Sequence, residues 1–113
     1  MDALLGAAGL GDKGQHFPST DPTLEGISSL VLLAKVGSLL TDNGWQIVNL
    51  DATILAQRPS LTPFVNHMMK KIAATLKVAF GDIHLKATTT DHLGFTGREE
   101  GIAAYAVVLI KAN

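Results

Sequence analysis

Polar and apolar positions alternate along one stretch of this chain and fall at helical spacing along two others, a combination that predicts an α/β fold. From Trp45 to Ala56, Val48, Leu50, Ala52 and Ile54 take one side of a predicted strand, and Asn49, Asp51 and Thr53 take the other. Before it, Ser28 or Ser29 can cap a helix reaching about Asp42, with Leu30, Leu33, Ala34 and Leu40 on one side and Gly44 as the stop. After it, Thr62 and Pro63 predict a helix start with proline in the first turn. Val65, Met68, Met69, Ile72 and Leu76 follow as an apolar stripe in which the methionines read as core. Phe80-Gly81-Asp82 turns the chain into a strand over Ile83 to Thr89. Gly101 to Lys111 is a last strand whose almost unbroken apolar run predicts burial on both faces. The chain opens on a helical segment, Asp2 to Gly9, stopped by the Gly9 and Gly11 pair. A loop from Asp12 to Gly26 with Pro18 and Pro22 follows it. No internal repeat or low-complexity linker divides the chain, so residues 1–113 read as a single domain.

Composition narrows the function classes without choosing among them. A chain of 113 residues can bury a real but modest core. A net charge of −1 offers no basic field for nucleic acid. With no cysteines a disulfide scaffold is excluded, and the compartment is left open. The longest apolar runs, Ile27 to Val36 and Ile102 to Ile110, are broken by Ser, Lys or Tyr and are too short to span a bilayer. The Met1 to Gly6 start lacks the basic leader and the apolar length of a signal peptide. The expectation is a cytoplasmic protein, or a plastid one if the source is eukaryotic, with no membrane partner.

Chemistry concentrates between the last two strands, in the run from Lys86 to Arg98. Thr88, Thr89, Thr90, Asp91, a glycine-containing turn and Arg98 together form a plausible holder for a phosphate and its metal ion. Hydroxyls and backbone amides donate to phosphate oxygens, a guanidinium clamps them, and a carboxylate carries a hard cation. The same residues also suit a plain strand end followed by a tight turn. Two further clusters stand beside it: Leu10 to Pro22 near the start, and Ala56 to Pro63 mid-chain.

Taken together and in order, these motifs resemble the 2-C-methyl-D-erythritol 2,4-cyclodiphosphate synthase family. The match covers Asp-x-Gly at Asp12 to Gly14, Phe-Pro-x-Thr-Asp at Phe17 to Asp21, Ala-Gln-x-Pro at Ala56 to Pro59, and the late Lys86 to Ala103 segment, and it runs from Asp2 to Ile110. The resemblance implies helices packed on one side of a mixed β-sheet, in a family that forms homotrimers with active sites between subunits. It implies a small-molecule diphosphocytidyl substrate, with zinc at one phosphate and magnesium or manganese at the diphosphate. By motif position, Asp12, Lys13 and Gly14 match residues at the methylerythritol part. Phe17, Pro18, Ser19, Thr20 and Asp21 match a loop beside the substrate. Ala56, Gln57, Arg58, Pro59, Ser60, Leu61 and Thr62 match the cytidine-binding loop. Thr89 matches a threonine that stabilises the transition state, flanked by Thr88 and Thr90, and Phe95 and Arg98 match substrate-contacting positions. Asp91 stands where the family has a glutamate that ligates the second metal. Ser60 replaces a usual lysine, and Tyr105 replaces a glutamate that often lines the trimer channel.

The family's zinc ligands, an Asp-x-His and a helical His, precede the segment matched by Asp2 to Ala8. The four histidines present, His16, His67, His84 and His92, have no zinc-motif spacing. The expectation is therefore a synthase domain lacking its amino-terminal strands and zinc site, with an exposed sheet edge and little turnover on its own. Such a chain is either part of a genuine synthase or a non-catalytic remnant that binds cytidine nucleotide or joins complete subunits. The polar side of the Trp45 to Ala56 strand faces either solvent or a sister subunit, and the resemblance favours the subunit.

Overall fold

The computed structural model describes residues 1–113. Its elements, in order, are α1 (Asp2–Ala7), α2 (Lys13–His16), α3 (Ser29–Asp42), β1 (Trp45–Leu55), α4 (Val65–Leu76), β2 (Ile83–Thr88), α5 (Gly94–Gly97) and β3 (Ala103–Ala112), with short 3-10 turns at Pro22–Leu24, Thr62–Phe64 and Phe80–Asp82. The three strands form one mixed sheet in the order β2-β1-β3, with β1 parallel to β2 and antiparallel to β3. α1 packs over β3, α3 over β1 and α4 over β2. All three helices cover the same face, as the resemblance implies. The result is a two-layer slab of 42 × 36 × 22 Å.

The core lies between the layers. Leu4 and Leu5 from α1, Val36 and Leu40 from α3, and Met69, Ala73 and Leu76 from α4 meet Leu50, Ile83 and Leu85 of the sheet. Local chemistry places the helices that supply it. The Ser28 hydroxyl accepts from the Leu30 N–H and caps α3 at its start. α1 ends with Gly9 at φ +69, where the Leu10 N–H reaches back to the Leu5 carbonyl. α4 ends with Lys77 left-handed in the same role, the Val78 N–H donating to the Ala73 carbonyl.

Four expectations need correction. Val48 does not share the Leu50 side, because the β1–β3 register shifts between Ile47 and Asn49. That bulge reverses the parity of the strand, so Trp45 and Ile47 pack on the core before it and Leu50, Ala52 and Ile54 after it. On α3, Ala34 is exposed and Val36 takes the central buried position. The Asp12 to Gly26 segment is not loop throughout: Asp12 accepts from the Gln15 N–H to start α2, and Asp21 accepts from the Thr23 N–H to start a 3-10 turn. Finally, β3 is not buried on both faces. Val108 and Ile110 pack on the core, but Tyr105, Val107 and Leu109 stand on the helix-free face and are exposed. An apolar run predicts two covered faces only where something lies on each, and nothing in this single chain covers the second.

Candidate nucleotide and phosphate site

Because β1 and β2 run parallel, both release the chain at the same end of the sheet, the usual place for a ligand in sheets of this kind. The loop after β1 (residues 56–62) and the turn after β2 (residues 89–93) therefore start side by side. The Ala56 N–H donates to the Thr88 carbonyl at 3.1 Å and extends the strand pairing to the edge of the loops. Beyond that point side chains take over. The His92 N–H donates to Gln57 Oε1 at 3.0 Å, and Arg58 Nε lies 3.4 Å from Glu99 Oε1. The Arg58–Pro59 peptide is cis.

The turn after β2 is tightly specified. Asp91 and His92 are both left-handed, at φ 53 and 66, and the Asp91 N–H donates to the Thr89 hydroxyl at 3.2 Å. The Thr90 hydroxyl donates to the Leu93 carbonyl and lies 3.1 Å from the hydroxyl of buried Thr96. The polar run is thus partly structural: Thr90 builds the turn, whereas Thr88, the Asp91 carboxylate, Phe95 and Arg98 are presented to solvent. Gly97 is required by close approach, since a Cβ there would sit 2.3 Å from the His92 carbonyl carbon. What the sequence suggests as a tight turn at Gly94–Gly97 is the four-residue helix α5, packed directly under the turn.

Both guanidiniums of this region are engaged by carboxylates to which the motifs assign no role. Glu99 takes Arg58, and Glu100 takes Arg98 in a paired geometry, Nε to Oε1 at 2.8 Å and Nη2 to Oε2 at 3.3 Å. Glu100 sits two residues from its partner and is legible from local sequence. Glu99 is not, because it meets Arg58 only through the pairing of β1 with β3, which sets Leu55 opposite Ala103. Exposed ion pairs of this type contribute at most about 1 kcal/mol, so an incoming phosphate can displace either carboxylate at small cost.

The Asp12–Asp21 residues lie elsewhere. Asp12 caps α2, the Lys13 N–H donates to the Asp2 carboxylate at 2.8 Å, and His16 Nε2 is 2.6 Å from the Leu10 carbonyl oxygen. Gly14 lies within α2, where a Cβ would meet Asp12 Oδ1 at 3.3 Å. Phe17 packs on the core and lines a groove of about 520 Å³ against Lys35 and Leu39 of α3. Ser19 and Asp21 line a second groove of about 380 Å³ beside Leu32. The Pro18 carbonyl accepts the Asp21 N–H and closes the turn through Ser19 and Thr20. Two hydrogen bonds from Thr23 hold the Asp21 carboxyl below the ordinary carboxylate range. No hydrogen bond or ion pair joins this segment to residues 56–62 or 89–99. The candidate residues form two groups, at different places on one chain.

The donor sets differ in what they can hold. His16 lies in α2, His67 on α4, His84 on β2 and His92 in the turn, and no three His, Asp or Glu side chains converge. That arrangement does not fit zinc, which needs three or four ligands at once. A magnesium-type ion makes a smaller demand, one or two carboxylates plus phosphate oxygens, and the exposed Asp91 beside the Thr89 hydroxyl fits it. No helix is long and apolar enough to cross a membrane.

Comparison with known proteins identifies the family. Residues 1–111 match the YgbB family. A 2-C-methyl-D-erythritol 2,4-cyclodiphosphate synthase from Agathobacter rectalis is 56% identical over 107 residues, covering 95% of this chain and 60% of that protein. The bifunctional IspDF of Campylobacter jejuni superposes with a TM-score of 0.95 at 41% identity, over 99% of this chain and 30% of that one. The IspF of Plasmodium falciparum, solved as a CDP complex, superposes with a TM-score of 0.84 at 27% identity, over 98% of this chain and 66% of that one. The chain thus spans less than two thirds of the length of each of these three relatives. Sequence, fold and the grouping of the loops lead to one conclusion: the chain belongs to the YgbB family of 2-C-methyl-D-erythritol 2,4-cyclodiphosphate synthases.

Proposed function

We propose that this chain serves the cyclisation step of non-mevalonate isoprenoid biosynthesis, in which 4-diphosphocytidyl-2-C-methyl-D-erythritol 2-phosphate becomes 2-C-methyl-D-erythritol 2,4-cyclodiphosphate and CMP. In that reaction the 2-phosphate oxygen forms a bond to the β-phosphorus, and the bond from that phosphorus to CMP breaks. An intramolecular attack of one phosphate on another needs its ends held together and its charge neutralised, with no side-chain nucleophile. The observation that carries the reading is the union of the 56–62 loop with the 89–99 segment at one end of the parallel strands.

In this reading the 56–62 loop receives the cytosine base through its backbone groups, and the Thr89 hydroxyl and Arg98 meet the phosphates. A divalent ion at Asp91 would supply charge neutralisation at the diphosphate when bound. Ser60 brings no cation to the nucleotide, so its phosphates depend more on Arg98. The Asp12–Asp21 group takes the methylerythritol end of a substrate held by a neighbouring copy, because it does not reach the nucleotide loops of its own chain. We assign a homotrimer on that ground, built through the helix-free face of the sheet, and a cytoplasmic setting. Two measures favour assembly. The accessible surface of 7113 Å² exceeds the roughly 6,000 Å² usual for a folded monomer of this mass. The radius of gyration of 14.9 Å exceeds the roughly 13 Å of a compact chain of this length.

The scattered histidines favour a second reading beside the first, in which the chain binds cytidine nucleotide and assembles but turns over little without donors from elsewhere. One experiment tests both: CDP binding and CMP release by the purified chain, with zinc and magnesium, against a chelated control. The expected result is CDP binding with CMP release near the control. Metal-dependent CMP release would uphold the reaction and overturn the account of the donor set. A folded chain that binds no cytidine nucleotide would overturn the assignment.

A further inference from the structure

Two adjacent residues of the loop after β1 reach opposite ends of the segment after β2. Gln57 accepts the His92 N–H at 3.0 Å, and Arg58 pairs with Glu99 at 3.4 Å. The intervening residues are locked by α5, by the Thr90 hydroxyl and by the close approach of Gly97 to His92. The loop is therefore fastened at two points to a rigid body. Glu99 itself is left-handed at φ 63 because it caps α5: its N–H donates to the Thr96 carbonyl and the Glu100 N–H to the Phe95 carbonyl. Its side chain is 46% exposed and contributes nothing to the core. The cap fixes the Glu99 backbone to α5, and from there its side chain reaches Arg58.

We infer that Glu99, acting through Arg58, is a positioning residue that together with the Gln57–His92 hydrogen bond sets the spacing between the nucleoside-binding loop and the phosphate-handling turn. Its functional part rests on the nucleotide reading above. Asp91 is the neighbour of the fastened His92, so the strut fixes the carboxylate and the Thr89 hydroxyl at a set reach from the base. A fixed reach selects ligand length. A nucleoside diphosphate, which spans both parts, gains from it, whereas a nucleoside monophosphate that engages mainly the first loop does not.

The test measures CMP and CDP affinities of the full chain, with amide hydrogen exchange at His92, for Arg58→Ala, Glu99→Ala and the charge-exchanged Arg58→Glu/Glu99→Arg pair. Each single substitution is expected to weaken CDP about two- to fivefold, the range of an exposed ion pair, to weaken CMP by a smaller factor, and to speed exchange at His92. The exchanged pair should restore the CDP to CMP ratio, and high salt should bring the unaltered protein to the level of the single variants. CMP and CDP falling by the same factor would reduce the pair to general structure and overturn the inference. Tighter CDP binding by Glu99→Ala would also overturn it, by showing Arg58 to be a phosphate ligand that Glu99 obstructs. Should the unaltered chain bind neither nucleotide, the nucleotide reading fails and His92 exchange decides the strut alone: faster exchange in both single variants supports it, and unchanged exchange refutes it.

Discussion

On the helix-covered face of the sheet, Leu50, Ile83 and Leu85 are 3 to 8% exposed; on the other face of the same sheet, Tyr105, Val107 and Leu109 are 56 to 74% exposed. Both sets are strand-forming side chains, and a purely intrinsic preference would not separate them. The difference comes from what lies above each face. α1, α3 and α4 roof the first, while the second carries an apolar stripe on β3 beside a polar patch on β1 and β2. That patch is an ion pair, Lys86 Nζ to Asp51 Oδ1 at 2.7 Å, with His84 opposite Asp51 in register. Contiguous exposed apolar side chains of this kind mark an interaction surface. The first face holds this chain together, and the second is proposed to hold copies of it to one another.

Substitutions separate those two roles. The largest effect is expected on the roofed face, where Leu40 is only 1% exposed. Leu40→Ala should destabilise the chain by about 2 to 5 kcal/mol in a denaturant titration, through lost burial and the cavity left behind. Gly97→Ala comes next, at about 1 to 3 kcal/mol, because the new Cβ must push the His92 backbone out of the site. Its diagnostic sign is lost nucleotide binding in a chain that still folds. Ser28→Ala removes the cap of α3 and should cost about 1 kcal/mol with the open face unaffected. The smallest effect belongs to the open face itself. Asp51→Asn should change the stability of the separated chain hardly at all, because the pair is exposed.

The pH dependence of that pair has a definite sign. The hydrogen bond from Lys86, assisted by the charges of Lys86 and His84, lowers the Asp51 carboxyl from its ordinary value. A group depressed on folding favours the folded state above the ordinary carboxylate pKa, about 3.9. That contribution is lost as pH falls through the lower folded value. Acid titration of the Asp51→Asn chain should lack this component, a small difference best read by NMR of the carboxyl carbon.

Much of the site is legible in the amino-acid sequence alone. The motif residues Gln57, Arg58, Thr89, Asp91 and Arg98 do gather at one end of the sheet, and helical spacing finds most of α3 and α4. What escapes depends on neighbours in space. The bulge at Val48 exists only in the pairing of β1 with β3, so alternation along β1 alone places that residue on the wrong face. Val36 is the exception: it stands three residues after Leu33 and four before Leu40, at helical spacing, while the exposed Ala34 lies one position off that stripe. The apolar run of β3 suggests burial on two faces, since a strand waiting for a partner and a strand already covered have the same sequence. Glu99 carries no local signal because its partner comes from another strand's loop.

The central claim, that the helix-free face joins copies of this chain, is tested most directly by the mass of the protein in solution. Sedimentation equilibrium at micromolar concentration should give three times the 11.9 kDa of one chain, with Val107→Asp reducing it to one while the far-ultraviolet spectrum is unchanged. A single-chain mass for the unaltered, folded protein would contradict the account, as would a trimer indifferent to a charge at Val107.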